Sequence, residues 1–231
     1  MDRAYLEIIF LCGFVLQVVL RSYYVQYYVT EKHPRYFNKK ERLFLLFIFV
    51  GFQLLPLLYV FSDWFAFFDY NFPKWLGFPS TMLYGFGIWL FFRAHADLGK
   101  YWSPGLEIKA DHQLITSGVF KWVRHPMYAA FVAIAIAQVF MLQNWIVGPA
   151  FLLLAIPFYM NRVKREEQQL IKYFGEEYRN YMHTTNALFP RKEQIDFSLI
   201  FARLKFSVKN KGMTFAQPLF WFCTSRILFG L

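Results

Sequence analysis

The chain has 231 residues, 57% hydrophobic and 23% aromatic with 30 Phe, and carries a formal net charge of +10. One domain is expected at this length, and the composition is too apolar for an ordinary soluble one. The basic residues sit in the gaps between apolar runs rather than being interleaved with a soluble fold, so membrane topology accounts for them and no nucleic-acid partner is expected.

Five apolar runs can be drawn, at about 4–20, 43–61, 76–92, 127–142 and 145–161. Each is close to the roughly 17 to 25 residues that span a bilayer as a helix. Ahead of the first run Arg3 is offset by Asp2 and no small-residue cleavage site follows, so the run is expected to persist as an anchor. Cys12, inside that run, and Cys223, in the tail, are too few and too far apart for a disulfide framework or a zinc site.

Of the Lys and Arg residues, all but Arg3 and Lys74 fall in 21–42, 93–126 or the region from 162 onward. Alternating spans put those three segments on one side, which the positive-inside rule makes the cytosol. The expected fold is therefore an all-α integral membrane protein of about five transmembrane helices, the last two a tight hairpin, with a cytosolic C-terminal helical region. Its N-terminus would lie outside or in the lumen. Gly148, Pro149 and Pro157 should bend the hairpin's second arm. Loop 62–75, with Asp63, Asp69 and Trp64, reads as an outer connection without chemistry.

In the cytosolic loop, His95 and Asp97 could form a base with its orienting acid, or cap a helix that Gly99 ends. His33, His95, His112, His125 and His183 are scattered without metal-ligand spacing, so no metal is expected. No GxGxxG or Walker loop occurs.

The chain turns on residues 112–128, HQLITSGVFKWVRHPMY, and on RVKREEQQLIKYFGEEY, which begins at Arg162. Two adjacent apolar runs separate them, so they should meet on one side of the bilayer. A helix should start at Pro126, since proline suits the first turn, and its free amides would then face the polar loop as an anion receptor. A capped membrane helix with an interfacial arginine fits the same residues. Arg162 and Glu166, four apart, share a helix face; they could be a surface ion pair or a grip on a carboxylate. Gly175 should cap that helix, and a second turn should begin at Glu176. Residues 1–190 read as one domain and 191–231 as a basic, Phe-rich extension with an interfacial helix.

At LGKYWS (98–103), the 112–128 motif, Arg162 with Glu166 and Glu167, FGEEYRNY and LFP, the chain resembles the isoprenylcysteine carboxyl methyltransferase family, and more broadly the membrane phospholipid methyltransferases. The resemblance covers roughly 95–190. It implies a cytosolic pocket for S-adenosyl-L-methionine and a lipid tunnel, with membrane lipids and a prenylated cysteine as partners. Carried over by position, His112, Gln113, Leu114, Ile115, Phe120, His125, Pro126, Met127, Tyr128 and Glu166 would line the cofactor, with Glu107 a further polar contact. Phe120 stands where some members have tyrosine. Arg162 matches the family's substrate arginine. The implied activity is methyl esterification of an isoprenylcysteine carboxylate, in the endoplasmic reticulum of a eukaryote or the cytoplasmic membrane of a prokaryote. The rivals are a methyltransferase of another lipid or a small thiol or amine, a sterol-reductase-like enzyme, and a non-enzymatic membrane scaffold.

Overall fold

The computed structural model describes residues 1–28, 39–102 and 113–191. The chain divides into two units, 1–190 and 191–231, and the helices below belong to the first. Glu107 and His112, expected at the cofactor, and the interfacial helix expected in the tail lie outside the described residues.

Among the described residues the regular elements are all helical: α1 (Arg3–Tyr28), α2 (Lys39–Phe49), α3 (Leu55–Phe61), α4 (Gly77–Leu98), α5 (Pro126–Leu142), α6 (Val147–Phe174) and α7 (Glu176–Thr184). Each expected apolar run finds its helix, and three expected boundaries fall where their residues put them. α5 opens at Pro126, α4 stops before Gly99 and α6 before Gly175. Pro157 stays inside α6, which runs unbroken into its charged half.

Two stretches are long and apolar enough to cross a membrane, Arg3–Gln26 and Lys74–Tyr101; the apolar stretches Leu45–Phe61 and Pro126–Leu142 are shorter. Both long ones leave most of their apolar surface uncovered, with Val15, Val19, Phe78, Met82, Phe86 and Trp89 exposed. A core helix of a water-soluble domain would bury that surface.

α2 and α3 are one rod joined by a π-helical stretch, Val50–Leu54. Pro56 opens α3 and has no N–H to return to the carbonyl four residues back, which favours the wider turn. The core gathers Leu6, Phe10, Phe52, Tyr84, Ile134, Met141 and Phe151 from α1, the π stretch, α4, α5 and α6. α4 and α5 approach so closely that a Cβ on Gly87 would lie 2.7 Å from Ile134 Cγ1 and 3.2 Å from the Ala130 carbonyl oxygen. Inside this packing the Gln138 amide donates to the carbonyls of Val147 (2.8 Å) and Gly51 (3.3 Å), tying α5 to α6 and to the π stretch.

The connection 62–75 proves to be structural. Asn144 Nδ2 donates to Asp69 Oδ1 and to the Phe65 carbonyl, both at 2.8 Å. Asn144 Oδ1 accepts the N–H groups of Ile146 and Val147 at 3.1 Å, capping the start of α6. Arg3 pairs with Asp69, bringing in the start of α1. The turn between α5 and α6 thus spans 143–146, with Gln143 left-handed at φ 39°, rather than the two residues the sequence suggested.

Candidate functional site

Where α4 ends, Asp97 makes two bonds. It accepts Arg93 Nη2 at 2.6 Å and the Val119 N–H at 2.9 Å, which fixes the turn Gly118–Lys121 against the helix. Gly118 has φ +61°, and a Cβ there would strike the Asp97 carboxylate. His95 does not join this acid. Its Nδ1 lies 2.8 Å from the Phe91 carbonyl oxygen, and its ring is packed among Tyr24, Phe91 and Trp102. The possible base and acid are therefore a buried packing residue and a loop anchor.

The turn buries Phe120, whose carbonyl accepts the Tyr181 hydroxyl at 2.5 Å. Residues 123–125 run beside 185–187: the N–H of Arg124 reaches the Asn186 carbonyl and that of His125 the Ala187 carbonyl, both at 2.9 Å. The 184–190 segment is thereby laid along the entrance to α5. No side chain caps that entrance.

On the facing side α6 brings Arg162, Glu166 and Glu167. Glu166 Oε1 accepts from the Tyr128 hydroxyl and, at 3.1 Å, from Arg162 Nε, which also reaches the Tyr128 oxygen at 2.9 Å. His125 sits between the two acids, with Nδ1 3.5 Å from Glu166 Oε2 and Nε2 3.3 Å from Glu167 Oε1. Arg124 Nη2 meets Glu167 Oε1 at 2.6 Å, and its Nη1 donates to the carbonyls of Met182 (3.3 Å) and Thr185.

The electrostatics are those of a buried cluster in which each carboxylate faces more than one donor or cation. Burial alone would raise Glu166 and Glu167, yet hydrogen bonds and charge from His125, with Tyr128 and Arg162 at the first acid and Arg124 at the second, hold both below the ordinary carboxylate value. Burial alone would lower His125; the two carboxylates outweigh it and hold the imidazole above its ordinary value.

Arg124, His125, Tyr128, Arg162 and Glu166 line one end of a cavity of about 520 Å³, with Glu167 behind the lining. Of the described candidates, Leu114, Ile115, Phe120, His125, Pro126, Met127, Tyr128, Arg162 and Glu166 all border it, while Gln113 is exposed and stays out of the lining. The rest is largely apolar, walled by Leu45, Ile48, Phe49 and Phe52 from the α2 rod and by Phe131 and Phe151, with the amides of Gln17 and Gln53 among them. Sequence reasoning passed over Arg124, Glu167 and Tyr159 as site residues. Arg124 lay in the 112–128 motif, but its partners are more than forty positions away. Tyr159, stacked on Phe131 and 5.0 Å from the Tyr128 ring, looked like one more aromatic of an apolar run.

The fold and site together define a helical protein of membrane-type surface. Its cavity joins a buried charge cluster to a largely apolar chamber. Residues 80–172 match the model of the Isoprenylcysteine carboxyl methyltransferase (ICMT) family, so the resemblance carried by the motifs holds. Protein-S-isoprenylcysteine O-methyltransferases of Mus musculus and Homo sapiens are each 43% identical over 70 residues, which is 30% of this chain and 25% of theirs. That of Schizosaccharomyces pombe is 35% identical over 71 residues, covering 31% of this chain and 30% of its own. The matched stretch spans about a quarter of the length of the two mammalian relatives. A solved structure of a eukaryotic intramembrane Ras methyltransferase ICMT is similar over 67% of this chain and 54% of that one, at 23% identity and TM-score 0.49.

Proposed function

We propose that the chain is an S-adenosylmethionine-dependent membrane methyltransferase that esterifies the carboxylate of a C-terminal isoprenylcysteine. The observation that carries this reading is the convergence of Arg162, Tyr128, Glu166 and His125 on one end of a cavity that is otherwise largely apolar. All four lie inside the stretch matched by the family.

The residues fit the cofactor. Glu166 offers a carboxylate for hydroxyl or ammonium groups, Tyr128 and Tyr159 offer ring faces for a sulfonium, and Leu114, Ile115 and Phe120 offer an apolar surface. Pro126, Met127 and Tyr128 begin α5, whose first amides suit an anionic group. When bound, the cofactor supplies a methyl group on sulfonium sulfur; transfer to a carboxylate oxygen makes one C–O bond, breaks one C–S bond and leaves a neutral thioether. A carboxylate is already ionised at neutral pH, so no side chain need act as base. The protein's part is alignment and exclusion of water. Arg162 orients the acceptor carboxylate, Tyr128 and Glu166 hold Arg162 in place, and the apolar chamber takes the prenyl chain.

Five spans with the last two as a hairpin place the charge cluster at the cytosolic surface, with the N-terminus outside or lumenal. Residues 1–190 form the methyltransferase domain and 191–231 an extension. Membrane lipids surround the uncovered faces of α1 and α4.

Labelled S-adenosylmethionine and a farnesylated cysteine analogue test the reading with purified protein. A base-labile methyl ester is expected, and none above background would remove the substrate assignment. Arg162→Ala should cut kcat/KM by about a hundredfold or more, with cofactor affinity in calorimetry changed far less. Equal loss of both would mean the roles are misassigned.

A further inference from the structure

Tyr178, on α7, is 1% exposed and lines the cavity, yet its hydroxyl has no hydrogen-bond partner among the described residues. The hydroxyl of Tyr181, one turn on, is spent on the Phe120 carbonyl. The two rings meet edge to face with centroids 5.9 Å apart, so Tyr178 stands at the part of the cavity that Phe120 walls. Burial raises the phenol above its ordinary value, so at neutral pH it is protonated and has a proton to give. Arg124 lies beside it, but a guanidinium can only donate. Arg124 also turns its own donors to Glu167 and to the carbonyls of Met182 and Thr185. Nothing described in the protein therefore takes the phenolic proton, and a buried polar group left in that way is costly unless a ligand supplies the partner.

The start of α5 belongs to the same part of the wall, because Arg124, beside the Tyr178 hydroxyl, stands two residues before Pro126. No side chain caps this helix, and the N–H groups of Met127 and Tyr128 have no backbone partner among the described residues. A phenolic O–H and two free amides at the positive end of a helix dipole suit one kind of group, an acceptor that carries negative charge. Two carboxylates take part in the proposed reaction, that of the lipid acceptor and that of the cofactor's amino-acid part. Arg162 is assigned to the first. Phe120 clusters with Ile115 and Met127, which the family resemblance places around the cofactor, so the Tyr178 hydroxyl falls to the second.

We propose that the Tyr178 hydroxyl, together with the Met127 and Tyr128 amides, binds the carboxylate of the amino-acid part of S-adenosylmethionine. It rests on the methyltransferase reading and adds to it which end of the cofactor lies at the start of α5. Tyr178 and Arg162 then hold one carboxylate each, on different molecules. The hydroxyl is a binding group and takes no part in the transfer itself.

The test compares the full chain with Tyr178→Phe, which removes the hydroxyl and keeps the ring. Calorimetry gives the Kd of S-adenosylmethionine and of its decarboxylated analogue, in which hydrogen replaces the carboxylate. The melting midpoint without cofactor and KM for N-acetyl-S-farnesylcysteine at saturating cofactor are read alongside. Tyr178→Phe should raise the S-adenosylmethionine Kd by about tenfold or more, because one hydrogen bond to a charged group is lost. The Kd of the decarboxylated analogue should stay within about twofold, which also shows that the variant is folded. The cofactor-free melting midpoint should hold or rise, since an unpaired buried hydroxyl has been removed; a hydroxyl that serves the fold would lower it. Acceptor KM should stay within about twofold. An unchanged S-adenosylmethionine Kd overturns the inference, and so does a lowered melting midpoint. Equal weakening of both cofactor compounds overturns it as well, assigning the hydroxyl to the adenosine part or to the fold. A raised acceptor KM with unchanged cofactor Kd overturns it in favour of the acceptor carboxylate. If the unsubstituted chain binds no S-adenosylmethionine, the functional reading fails and this inference falls with it.

Discussion

Glu166 and Glu167 are consecutive on α6, about 100° apart around the helix, and so serve different partners. Glu166 looks to Arg162 and Tyr128, Glu167 to Arg124, and His125 stands between them with a ring nitrogen toward each. Both imidazole nitrogens can donate only in the protonated ring, so the geometry is that of a histidinium shared by two carboxylates. The pH dependence comes from the directions of the shifts. His125 is raised, so its stabilisation is complete below its ordinary value near 6.5 and is lost as pH climbs through the raised one; the two glutamates are lowered, so theirs is complete above the ordinary carboxylate range and is lost only as pH falls through the depressed values. The melting midpoint of the purified protein should therefore fall as pH is taken from neutral into the alkaline range, and His125→Gln should flatten that fall. An unchanged alkaline slope in the variant would show that His125 is neutral in the fold. The spacing of Arg162 and Glu166 and the start of α5 at Pro126 were open to inspection in the sequence, because both depend on local helical geometry. Arg124 was not, since its acid and its two carbonyl acceptors come from α6 and the end of α7.

Elements show the same division between local and distant causes. Gly99, Gly175 and Pro126 mark helix ends by chain chemistry alone, and the helices end and begin there. His95 and Asp97, by contrast, could by residue type be a base with its orienting acid or a plain helix end. Two positions apart on α4 they point to different sides, so the histidine packs among rings while the acid holds the 118–121 turn. That turn carries Phe120 into the cavity wall, and its shape requires a left-handed residue without a side chain at 118. Gly118→Ala should cost about 1 to 3 kcal/mol of stability, through the positive φ and the collision with Asp97. Chemical denaturation in detergent would measure it. Pairing it with Asp97→Ala should recover part of the loss if the collision is the cause, and leave it intact if backbone strain alone acts. The π stretch, where Phe52 and Gln53 enter the cavity lining, had no sequence signal beyond Pro56 a few residues on.

Across the whole molecule the two ends of the helix bundle are held differently. The end away from the cavity is closed by neutral and ionic bonds through Asn144, which makes four of them, and Asp69, which joins α1 through Arg3. Asn144→Ala should lower stability by about 2 to 4 kcal/mol, as several buried partners lose their bonds at once, while cofactor affinity of the folded fraction stays within about twofold. A large change in that affinity would instead couple the two ends.

The middle of the molecule carries the claim that a bilayer surrounds it. Cys12 lies in the first half of α1 on an exposed face, in line with Ile8, Val15 and Val19. In water a thiol so placed would react at once with a polar maleimide; within hydrocarbon the reagent cannot reach it. With Cys223→Ser leaving Cys12 as the one cysteine, sealed or opened membranes should show little labelling by a membrane-impermeant maleimide, and full labelling should follow dissolution in dodecyl sulfate. Equal labelling in opened membranes and in dodecyl sulfate would place that face of α1 in water. The apolar surfaces of α1 and α4 would then need a protein partner in place of lipid, and a lipid-borne acceptor would lose its route into the cavity.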